Sequence, residues 1–75
     1  MQAIIRPFVI PPKHRDFHGW EVAHAVTGEI LHKLTYGDCR GLGPGNSALE
    51  LCAVYARGLE ARGWRITKSR AAVTR

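Results

Sequence analysis

The chain has 75 residues, 45% of them hydrophobic, with 11 Lys+Arg against 6 Asp+Glu and a net charge of +5. That length allows one domain with one small core and excludes a two-domain enzyme or a large cofactor fold, while the apolar content is too high for a disordered tail. The longest apolar stretch, residues 3–10, is broken by Arg6 and Pro7, so no transmembrane helix is predicted, and no basic segment precedes a hydrophobic run as in a secretory signal.

Residues 3–10 are β-branched and aromatic and read as a strand; Pro7 cannot donate to a ladder, which predicts an edge strand or one with a bulge. Pro11 and Pro12 end it, and residues 13–19 form a polar connection. From Trp20 to Tyr36 two runs alternate with period two, and both carry their apolar set on even positions: Trp20, Val22, His24 and Val26, then Ile30, His32, Leu34 and Tyr36. For those faces to coincide, directly paired residues must have an even sum. A three-residue loop at 26–28 satisfies this, and predicts a type I turn with Gly28 left-handed in a G1 bulge. The register then pairs Trp20 with Leu34, Val22 with His32, and Glu21 with Lys33 as a cross-strand ion pair.

Residues 37–45 hold four glycines and a proline and read as a loop. Ser47 and Glu50 have capping-box spacing ahead of a helix over 48–62. Its apolar stripe is Ala48, Cys52, Tyr55 and Leu59, flanked by Leu49, Leu51 and Ala56; Glu50, Arg57 and Ala61 lie opposite. Gly63 fits a left-handed residue after the helix, with Trp64 touching Leu59 in a Schellman ending. Residues 64–67 alternate and predict a short further strand, and 68–75 show no pattern and are expected to fray. The fold class is therefore α+β: one domain over 1–67 with a basic tail over 68–75. A small antiparallel sheet of three strands, and a fourth after the helix, is packed on one face by that helix. The other sheet face, with Leu31, Ala23, Ala25 and Ile5 or Val9, is left uncovered, which makes a homodimer an expectation.

The excess charge is confined to one part of the chain. Residues 1–61 are balanced, and Arg62, Arg65, Lys68, Arg70 and Arg75 in the last stretch are accompanied by no acid. A basic segment on a neutral body points to an anionic partner, nucleic acid or an acidic protein surface, although solubility alone can explain such a run. The glycine-rich run from Arg40 to Ser47, opening a helix, can aim backbone N–H groups at a phosphate beside Arg40; the alternative is a plain connector. It lacks a P-loop lysine, and its glycines do not follow a dinucleotide fingerprint.

His14 and His18 have the spacing of a helical metal pair but no helical pattern around them. His24 and His32 fall on the helix-facing side of the hairpin, where they could hold a metal with Cys52, or simply lie at the margin of the core. Cys52 reads as a buried small hydrophobe, and Cys39 beside Arg40 lacks a base tied to it. No catalytic residues, metal site or cofactor are assigned, so the chain is read as non-enzymatic.

Two resemblances bear on function. The segment Trp20-Glu21-Val22, Thr27-Gly28-Glu29 and Tyr36-Gly37, followed by a helix, resembles the amino-terminal arm-site-binding domain of phage tyrosine integrases. That resemblance implies a three-stranded sheet inserted into the DNA major groove; here the strands carry Glu21 and Glu29 where that family favours basic or polar readers. As a whole, a short αβ chain read as complete from Met1 and without a catalytic set resembles the small accessory proteins of phages and mobile elements, anti-CRISPR proteins prominent among them. This implies a cytoplasmic inhibitor in a bacterial host cell that blocks a Cas effector protein or complex by surface occlusion. Arg40, Arg62, Arg65, Lys68 and Arg70 are the expected contact residues; direct DNA or RNA binding by the same residues is the alternative, and no membrane partner is expected.

Overall fold

The computed structural model describes residues 1–10, 18–37 and 47–75. The elements in chain order are β1 (Gln2–Val9), β2 (Gly19–His24), β3 (Ile30–Thr35), α1 (Ala48–Ala61), β4 (Arg65–Lys68) and β5 (Val73–Thr74). The strands form one sheet of order β3-β2-β1-β4, with β5 also on β1, and α1 lies across one face. The α+β class expected from the sequence is the one observed.

The sheet is mixed, which corrects the expectation of an antiparallel one. β1, β2 and β3 form an antiparallel meander, so β3 runs in the direction of β1. α1 then carries the chain back over the sheet, and β4 pairs with β1 in parallel, Ala3 beside Ile66 and Ile5 beside Lys68. A helix after a strand returns the chain to the start of the sheet, so the next strand repeats the direction of the one before the helix. The crossover passes over β2 and β1, which makes β1 an interior strand and corrects the edge assignment drawn from Pro7. The proline is tolerated because it falls between two pairings on that side: β4 reaches only to Ile5, and β5 begins at Phe8.

The hairpin register is as expected from Trp20–Leu34 to Val22–His32, and Gly28 is left-handed with φ 78°. The loop is one residue longer, however. His24 N donates to Glu29 O and Gly28 N donates to His24 O, enclosing residues 25–28, and the bulge moves into the strands beyond Val22. The extra loop residue and the bulge offset each other, so Trp20, Val22, His32 and Leu34 keep the expected helix-facing side, whereas Ile30 now stands opposite Ala23 and Leu31 packs against the core instead. Ala3, Ile5, Trp20 and Val22 meet Ala48, Cys52, Ala56 and Leu59 of α1 there. Small side chains at 48, 52 and 56 allow the helix to lie close; Tyr55, placed in the stripe by sequence, is displaced to its border by Ala56.

Both helix ends follow the sequence signals. Ser47 Oγ accepts from Glu50 N at 3.2 Å. At the other end Gly63, φ 93°, donates to Glu60 O and Trp64 N donates to Leu59 O, the paired bonds of a Schellman ending.

Gly19 is fixed by a close approach between strands. A Cβ there would lie 2.1 Å from Leu34 O, on the backbone of β3. Gly58 is the opposite case, a helical glycine whose Cβ would meet nothing within 4 Å. Gly19→Ala is expected to destabilise the fold by about 1–3 kcal/mol through overpacking, and Gly58→Ala to stabilise it by about 0.5–1 kcal/mol. Urea unfolding followed by circular dichroism checks both signs.

Candidate functional site

The sheet face away from α1 is built around a carboxylate. Glu21 lies in β2 between two strands and is 0% exposed, with Phe8 and Ala23 equally buried near it. Arg6, its direct partner on β1, donates from Nε to Oε2 at 3.0 Å. Arg75 donates from Nε to Oε1 at 3.0 Å and from Nη2 to Oε2, a two-pronged contact. Burial pushes the Glu21 carboxyl upward, but the hydrogen bonds and charges of Arg75 and Arg6 outweigh it and hold it below the ordinary carboxylate value.

This cluster overturns three expectations. Lys33 stands opposite Glu21 in register, yet its Nζ lies over the Phe8 ring, 5.5 Å from the centroid, while the carboxylate turns to the two arginines. The segment 68–75 is not frayed: Lys68 closes β4, Val73–Thr74 pair with β1, Ser69 N donates to Ile5 O and Arg75 N donates to Val9 O. Nor is this face an uncovered apolar surface, since its centre is a satisfied ion cluster, and Ile5 and Leu31 pack with the core on the helix side.

Arg75 is thereby neutralised internally. Arg62, Arg65, Lys68 and Arg70 are exposed, and among the described residues none pairs with a carboxylate. The fold separates them. Lys68 and Arg70 meet at a groove of about 290 Å³, lined among the described residues also by Trp20 and Leu49. Arg65 points to the other face of β4, three residues before Lys68 in a strand whose side chains alternate. Arg62 caps the far end of α1, about 20 Å along the helix from Leu49 at 1.5 Å per residue. Arg40, Cys39, His14 and the glycine-rich loop lie outside the described residues.

Trp20 and Leu49 were legible only as core residues. Trp20 is 8% exposed, its Nε1 donates to Tyr36 Oη at 3.1 Å, and its carbonyl accepts from the buried Cys52 Sγ. What brings Lys68 to this indole is the parallel register of β4, which sequence patterning did not supply. The histidines go separate ways. His24 meets the Trp64 ring edge-on and accepts from Val26 N through Nδ1; His32 stacks on Tyr55 at 4.5 Å; His18 Nδ1 accepts from Ile10 N. Among the described residues no three metal-ligating side chains converge.

Because Glu21 has a lower pKa folded than unfolded, its contribution is complete above the unfolded value and is lost as pH falls through the folded one. The unfolded chain takes up the proton first, so stability should decline on acidification below about pH 4.5. Glu21→Gln should flatten that part of the pH–stability curve measured by thermal unfolding. Arg75→Ala should cost about 1–3 kcal/mol at neutral pH, as a buried acceptor loses a donor. Comparison with family models, with curated proteins and with solved structures found no match for this chain.

Proposed function

We propose that this chain is a non-enzymatic binding protein, an anti-CRISPR-like inhibitor that blocks a Cas effector protein or nucleoprotein complex by occluding an anionic surface. One observation carries the reading. Glu21 satisfies Arg75 and Arg6 internally, while Lys68 and Arg70 line one groove with no acid among the described residues paired to them. Two unmatched cations beside an apolar floor favour a partner with negative charge next to apolar surface. No helix among the described residues is long and apolar enough to cross a membrane.

The arrangement is less suited to direct nucleic-acid binding, the alternative reading. A strand of nucleic acid is held by cations in a row or by exposed aromatic faces. Here Arg62 and Arg65 are turned away from the groove, and Trp20 is buried with its N–H engaged. The sheet face that the integrase resemblance would place in a major groove has a buried glutamate at its centre.

The test is target-DNA binding by a panel of purified CRISPR effector complexes, with and without this chain. At least one complex should be inhibited, and Lys68→Glu with Arg70→Glu should weaken that inhibition by tenfold or more. A panel left unaffected contradicts the proposal; so does a double variant as potent as the parent. Retardation of free DNA at low salt, abolished at high salt, would favour the nucleic-acid reading instead.

A further inference from the structure

The groove's dimensions and chemistry narrow what fits it. At about 290 Å³ it lies at the lower end of the roughly 300–1,000 Å³ typical of small-molecule sites, room for an anchoring side chain rather than a cofactor. Its floor is Trp20 and Leu49, both packed in or against the core, so the apolar surface is held in place before any partner arrives. Lys68 and Arg70 are the other described residues of the lining, and both side chains are exposed. Leu49 belongs to the first turn of α1, the end at which the helix dipole is positive, which adds to the potential of the two cations.

From this we infer that the groove is a docking site for an acidic protein segment in which a leucine-like or aromatic side chain is flanked by Asp or Glu. The apolar side chain enters between Trp20 and Leu49, and the flanking carboxylates pair with Lys68 and Arg70. A buried anchor ringed by charges that exclude water is the usual division of labour at a tight protein contact. A phosphodiester backbone supplies the charge but no aliphatic anchor for the apolar part of the groove. The inference rests on the proposed binding role and specifies the chemistry of the partner at that same surface.

The probes are three synthetic ligands titrated into the isotope-labelled full chain: a peptide alternating acidic residues with leucine, a peptide of the same charge with serine for leucine, and a single-stranded DNA oligonucleotide. Amide signals of Lys68 and Arg70 and the Trp20 indole N–H signal should shift together with the acidic–leucine peptide. That peptide should bind at least tenfold more tightly than either other ligand, and Lys68→Glu with Arg70→Glu should abolish the shifts. Equal binding of the serine peptide or the oligonucleotide overturns the inference, as do shifts that bypass Trp20. Should the peptides fail while the parent still inhibits an effector complex through Lys68 and Arg70, the binding role stands and only this occupant is wrong.

Discussion

A carboxylate withdrawn from water has to be matched where it lies, and in this chain that requirement organises the sheet. Glu21 sits in the strand with neighbours on both sides, and its two oxygens are claimed by arginines that are far from it in sequence, Arg6 from β1 and Arg75 after β5. Removing one partner of a buried ion pair costs far more than the pair contributes relative to an apolar replacement. Its effect is accordingly one of placement. Arg75 can reach Glu21 only if the chain after β4 runs along β1, and that course is marked by the bonds from Ser69 to Ile5 and from Arg75 to Val9.

The course of that segment decides which charges remain available. Five cations accumulate after residue 61 without an acid among them. One is absorbed by Glu21. Of the rest, Lys68 and Arg70 are carried to the edge of the core beside Trp20 and Leu49, whereas Arg65 and Arg62 are directed elsewhere. A charge run that looks uniform in sequence thus becomes, in space, one structural cation, one small basic groove and two exposed cations away from it. The proposed function draws on the groove alone.

Much of the architecture was legible because it rests on short-range chemistry. The alternation placed Trp20, Val22, His32 and Leu34 on one face, though not Val26 or Ile30 near the turn; Ser47 and Gly63 marked the helix ends, and Gly28 marked the turn. What was not legible depends on contacts between distant segments. Pro7 argued for an edge, and only the gap between β4 and β5 explains how an interior strand accommodates it. Lys33 looked like the partner of Glu21 because hairpin register is local; Arg6 was an equally direct partner, but across a pairing of β1 with β2 that no turn signal specifies. Residues 68–75 lack periodicity because they are held by backbone bonds to β1 and by the Arg75 side chain, and not by an apolar stripe.

Amide hydrogen exchange at Arg75, compared between the parent chain and Glu21→Gln at neutral pH, probes the anchoring role of the carboxylate most directly. If Glu21 holds residues 69–75 against β1, the Arg75 amide, which donates to Val9 O, should lose most of its protection in the variant while the Trp64 amide, bonded to Leu59 O, keeps its own. Unchanged protection at Arg75 would mean that the strand pairing alone positions this segment, and that the buried ion cluster does not determine where the basic groove forms.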